Sequence, residues 1–158
     1  MRGRLELRVH RTVNIPAGTA VHHTGWAIAL PPGTATETEA TDGAPEVTLV
    51  GAEVTGQLLG LHGWDTSRTV RAPRGTAYGT WALVPELTGT VGEDPSGTLF
   101  AAVASLTGDP GPAPLTGLAA VDVAGHTVTV RWSDGIRTVV DFGDGGAHTA
   151  PTVREESA

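Results

Sequence analysis

The stretch LAAVDVAGHTVTVRWSDGIRTVVDF, residues Leu118 to Phe142, decides the fold. Leu118 to Val123 and His126 to Trp132 flank Ala124-Gly125, a two-residue hairpin connection. Val128, Val130 and Trp132 alternate with Thr127, Thr129 and Arg131, the period of a strand with one buried face. Ser133-Asp134-Gly135 then turns the chain into Ile136 to Phe142, where Ile136, Thr138, Val140 and Phe142 share a face. The reading is a three-stranded antiparallel meander, with Trp132 and Phe142 facing a core.

The same signals recur upstream. Leu5, Leu7 and Val9 alternate with charged residues, and Ala20 to Leu30 reads as a second strand stopped by Pro31-Pro32-Gly33. Glu46 to Leu61 carries strand signals broken by Gly51, Gly56 and Gly60. Arg68 to Arg71 and Gly79 to Val84 are shorter strand candidates. Thr98-Leu99-Phe100-Ala101-Ala102-Val103-Ala104 is a continuous apolar run of a length that suits a strand covered on both faces, with a short helix as the alternative. Residues Thr34 to Pro45 hold no large apolar side chain and read as a long solvated loop, mobile over 33–45. The expectation is an all-β chain, a β-sandwich of about nine to eleven short, mostly antiparallel strands. It forms a single domain over 1–147, followed by a frayed tail at 148–158.

Composition agrees. The chain has 158 residues with 22 Gly, 11 Pro and 23 Thr but only seven aromatic residues, a balance that favours strands and turns over a helix bundle. All ten basic residues are Arg, and 17 acidic residues bring the net charge to −7. An acidic surface repels phosphate backbones, which argues against a nucleic-acid partner. No stretch approaches 18 apolar residues and no signal-peptide pattern opens the chain, so no membrane span is expected. As written the protein reads as cytoplasmic, or as secreted if it is a fragment of a larger precursor. The absence of Cys excludes disulfides, thiolate metal sites and a Cys nucleophile.

Chemistry-bearing residues are scattered. His22 and His23 are adjacent and would point to opposite faces of a strand, no HExxH pattern occurs, and no metal or other cofactor is expected. None of the five Ser lies in a Gly-x-Ser-x-Gly elbow, and no carboxylate pair has glycosidase spacing in sequence. The segment from Trp64 to Trp81 is richer. It gathers Trp64, Tyr78 and Trp81 with Arg68, Arg71 and Arg74, the ingredients of a sugar platform of ring faces and polar donors. Trp64, Tyr78, Trp81, Arg74 and His22 are therefore the candidate glycan contacts. The plainer reading is that Trp64 and Trp81 fill a core poor in Phe.

The order of motifs resembles a family. Leu7-Arg8-Val9-His10-Arg11 is followed by Thr24-Gly25-Trp26-Ala27-Ile28 and Arg71-Ala72-Pro73-Arg74. Then come Ala82-Leu83-Val84-Pro85-Glu86-Leu87-Thr88-Gly89-Thr90, the apolar strand Leu99 to Ser105, and the hairpin motif Val128-Thr129-Val130-Arg131-Trp132-Ser133-Asp134-Gly135. Together, over roughly residues 4–142, these look like the C-terminal β-sandwich of actinobacterial polysaccharide-lyase-like proteins, the heparinase II/III-like group and a related bacterial family. The resemblance implies a sandwich that packs against an α/α-toroid catalytic domain and lines a glycan cleft. This sequence holds no toroid, and Trp81-Ala82 stands where the family has Arg-Thr, so no catalytic residue carries over. The expected function is a non-catalytic accessory domain. A free-standing carbohydrate-binding module and a small β-sandwich enzyme are the alternatives.

Overall fold

The computed structural model describes residues 4–24, 37–41, 44–50, 54–73, 81–108, 115–117, 119–144 and 150–157. Most of them are strand. The strands are β1 (Arg4–Thr12), β2 (Ala20–Thr24), β3 (Glu37–Thr41), β4 (Ala44–Val50), β5 (Val54–His62) and β6 (Trp64–Pro73). They continue as β7 (Trp81–Thr90), β8 (Thr98–Gly108), β9 (Ala119–Ala124), β10 (Thr127–Trp132), β11 (Ile136–Asp141) and β12 (Thr152–Ser157). The one other regular element described is a 3-10 turn at Leu115–Gly117. Every described pairing is antiparallel.

The strands form three sheets: a middle sheet β1-β8-β5-β4-β3, a meander sheet β12-β11-β10-β9, and a hairpin sheet β2-β7-β6. The middle sheet is covered on both faces, which makes two sandwich interfaces from one shared layer. Alternation along β8 shows why. Leu99 and Ala101 face the meander sheet with Val128, Val130, Val140 and Phe142, while Phe100, Ala102 and Ala104 face the hairpin sheet with Trp64 and Leu87. A strand enclosed on both sides needs no polar face, so its sequence is an unbroken apolar run. Phe100, Leu58 and Leu87 are fully buried in the second interface; each such side chain stabilises the fold by about 1.5–3 kcal/mol.

The meander pairs as read, with Ala124-Gly125 closing the β9–β10 hairpin and Val128 opposite both Val123 and Val140. Phe142 is buried, and Trp132 packs against the same cluster. Several boundaries differ from the sequence reading, β6 among them, which runs over Trp64–Pro73 where Arg68 to Arg71 was expected. Residues 34–45 were expected to be a solvated loop, yet 37–41 form β3, paired with β4 from Thr41↔Ala44 to Glu37↔Thr48. Backbone hydrogen bonds with β4 hold a segment that has no large side chain to bury. The tail expected to fray instead carries β12, paired with β11 along Ile136↔Ser157 to Asp141↔Thr152. It brings the strand count to twelve. Strand β7 runs on past Val84 through Pro85 and Gly89. Pro85 is buried within β7, opposite Thr69 of β6. The second half of the expected strand Ala20–Leu30 lies outside the described residues beyond Thr24.

Candidate functional site

Trp64 is not a surface platform. It is 7% exposed, packed with Leu58, Leu87 and Phe100, and its indole N–H donates to the carbonyl of Ala101 at 3.1 Å. Glycines make its room: a Cβ at Gly89 would lie 2.5 Å from the Gly63 carbonyl oxygen and 3.2 Å from the Trp64 ring. The expected glycan contact at Trp64 is therefore corrected to a core residue, because its ring faces are occupied by side chains. Trp81 opens β7 opposite Pro73, but its side chain, like Arg74 and Tyr78, lies outside the described residues. Of the five candidates only Trp64 and His22 have described side chains, and of these two His22 is the one at the surface.

His22 stands on the outer face of the hairpin sheet, because its neighbours Val21 and His23 face inward. Its Nδ1 lies 3.4 Å from Glu86 Oε1 and 3.2 Å from Thr88 Oγ1. Arg68 Nε donates to the same Glu86 oxygen at 2.5 Å. Glu86 is only 8% exposed, so its carboxylate is held between two surface cations or donors rather than in water. A carboxylate only accepts whereas a hydroxyl can also donate, so Nδ1 can donate toward Glu86 when it carries the proton or accept from the Thr88 hydroxyl when it does not. Sequence spacing gave no hint of this cluster; 64 positions separate His22 from Glu86, and the β2–β7 register makes them neighbours.

His10 and His23 sit on the other side of the hairpin sheet, toward the core. His10 stacks on Phe100 with centroids 5.5 Å apart, and both imidazoles lie within 5.7 Å of the Trp64 ring. The two imidazoles are 5.9 Å apart. Arg8 Nη1 lies 3.2 Å from His23 Nε2 and also donates to the Thr24 carbonyl at 2.8 Å. A guanidinium can only donate, so Nε2 is the acceptor and the ring is neutral. Burial, reinforced by the Arg8 charge, holds the His23 pKa down at about 4, and burial lowers that of His10. These imidazoles join two sheets as neutral packing groups.

A cleft of about 350 Å³ opens between β1 and the meander sheet. Its apolar lining is Leu5, Leu7, Trp132 and Ile136, and its polar members are Thr138, Asp134 and Glu155. Thr138 is occupied by the Trp132 indole, which donates to its hydroxyl at 2.9 Å. Leu5 is 48% exposed and Ile136 37%. The sequence reading placed both residues on strand faces directed at a core, and nothing in their spacing shows that the core stops short of them.

Among the described residues no group of three or more His, Cys, Asp or Glu is placed to hold a metal ion. No described helix is long and apolar enough to cross a membrane. No protein-family model, curated protein or solved structure matches the chain.

Proposed function

We propose that the chain is an accessory β-sandwich domain of a lyase-like, carbohydrate-active protein, non-catalytic by itself, that packs against a second domain. The observation that carries this reading is the cleft beside β1. Of the four large hydrophobic side chains described as exposed, Leu5 and Ile136 line it and Val153 lies on the neighbouring strand β12. Apolar groups gathered on one side and rimmed by polar ones mark a surface meant for a protein partner. The carbohydrate half of the reading rests on the motif resemblance set out above.

A second reading, a free-standing sugar-binding module, is favoured by one observation. The outer face of the hairpin sheet presents His22, Arg68 and Thr88 around the buried Glu86. Such a surface would contact hydroxyl groups through polar side chains, since Trp64 is spent in the core.

The test is a panel of uronate polymers with the protein alone, followed by the ultraviolet absorbance of the unsaturated product. Elimination needs a base for the proton alpha to the carboxyl and a group to neutralise the enolate. The expected result is no product. Steady turnover that disappears on His22→Ala would replace the accessory reading with that of a small enzyme.

A further inference from the structure

Two exposed basic side chains on the outer face of the hairpin sheet are fixed by one buried acid. Strand register builds a small grid there. His22, Thr88 and Thr66 stand side by side across β2, β7 and β6, and Thr24, Glu86 and Arg68 form the adjoining row. His22 and Arg68 occupy opposite corners, on the strands either side of β7. Both nevertheless reach Oε1 of Glu86, His22 through Nδ1 at 3.4 Å and Arg68 through Nε at 2.5 Å. The Glu86 side chain is 10% exposed, those of His22 and Arg68 49% and 61%.

Stability alone does not call for an acid at this position, because desolvating a carboxylate costs free energy that its ion-pair partners largely serve to offset. What Glu86 supplies is position. It takes the inward nitrogen of each base and leaves Nη1 and Nη2 of Arg68 and Nε2 of His22 as the outward ones. Arg68 thus presents a planar fork of N–H donors, the shape that pairs with both oxygens of a carboxylate. His22 Nε2 adds a single donor or acceptor across Glu86, and the hydroxyls of Thr24, Thr66 and Thr88 share the face. Beyond them, Asp65 accepts from the Thr90 hydroxyl at 3.0 Å. An anionic group is repelled from that end and drawn to Arg68, whereas a hydroxyl group finds acceptors there.

We propose that this face binds a small hydroxycarboxylate, its carboxylate on the Arg68 fork and its hydroxyl toward His22 and Thr88, with Glu86 as the positioning residue beneath. The ligand touches Arg68 and His22, and Glu86 acts through them. The proposal rests on the second reading above, in which this face contacts hydroxyl groups, and adds the charge of the ligand to it.

The test titrates the full chain, isotope-labelled and at constant ionic strength, with tartrate, with sulfate as an anion of the same charge, and with maltose as a neutral sugar. Saturable binding of tartrate, tighter than that of the other two and with amide shifts at His22, Arg68, Glu86 and Thr88, is the expected result. Two variants separate a built site from plain charge. Arg68→Lys keeps the charge and loses the fork; Glu86→Gln removes a negative charge together with the clamp. Each should weaken tartrate binding about fivefold. Simple attraction of anions predicts the reverse, no change for Arg68→Lys and tighter binding for Glu86→Gln, and either result overturns the proposal. Should Glu86→Gln fail to fold, Arg68→Lys, a change on an exposed side chain, decides alone. If maltose binds these amides as tightly as tartrate, the sugar-binding reading stands and the carboxylate is refuted. If no probe shifts them, the sugar-binding reading falls as well.

Discussion

Trp64, on the hairpin sheet, donates its indole N–H to the backbone carbonyl of Ala101, on the middle sheet, across 3.1 Å. One side chain thus both fills the interface and satisfies a carbonyl inside it. Trp64→Ala should destabilise the protein by about 3–5 kcal/mol, the usual range for removing a buried large aromatic side chain. Trp64→Phe keeps most of the volume but orphans the carbonyl, at a cost of about 1–3 kcal/mol. Urea unfolding of both variants measures the difference, and equal losses would show that the hydrogen bond contributes nothing.

Acid should weaken the same region. His23 is held neutral, its pKa lowered from 6.5 to about 4, by burial and by Arg8, with His10 opposing its charge and Glu6 favouring it. The unfolded chain therefore binds a proton at this site that the folded chain refuses between those values. Stability is fully present above about pH 6.5 and falls as the pH drops toward 4. The loss, discounted for solvent screening at a part-exposed ring, is on the order of 1–2 kcal/mol. Thermal melts from neutral to acid pH should show this slope in the wild type and a shallower one in His23→Gln.

Glu86 makes Arg68 and His22 unequal in effect to ordinary surface residues. Arg68→Ala leaves a largely buried carboxylate with one fewer donor and should cost roughly 1–3 kcal/mol, whereas Glu86→Gln, which removes the charge itself, should cost less. Denaturant midpoints of the two variants decide the order; a reversed order would mean that the carboxylate is stabilised by water instead.

Buried hydroxyls without partners predict the opposite sign. Ser105 and Thr107 on β8 each bury a hydroxyl oxygen that has no hydrogen-bond partner among the described residues. Ser105→Ala and Thr107→Val should be neutral or stabilising, because no bond is lost and a desolvation cost is removed. Gln57 is mixed: its Oε1 is likewise buried without a partner among the described residues, but its amide nitrogen donates to Glu46 Oε1 at 3.2 Å. Gln57→Leu should destabilise, and calorimetric melting temperatures of the three variants separate these cases.

The last strand protects an edge. Ending the chain before Thr152 removes β12 and bares the backbone of β11 to pairing with other molecules. The shortened protein should elute as aggregates or higher oligomers in size-exclusion chromatography while the full chain does not. A shortened protein that stays in the same state would show that β11 tolerates exposure.

Local sequence determined the elements whose information is local. The Ala124-Gly125 and Ser133-Asp134-Gly135 turns, with the alternation of Val128, Val130 and Val140, specify the meander because turn chemistry and a period of two act over a few residues. The apolar run from Leu99 to Ala104 likewise announced a strand enclosed on both faces. Strand β3 and strand β12 were not legible, since short polar strands are held by a neighbour's hydrogen bonds and carry no apolar pattern of their own. Which residues met at a site was decided only by the tertiary structure. Register across β2 and β7 brought His22 to Glu86, and sheet stacking buried Trp64 while leaving Leu5, Ile136 and Val153 at a surface. Alternation tells which face a side chain takes, but whether another layer covers that face depends on where distant strands end.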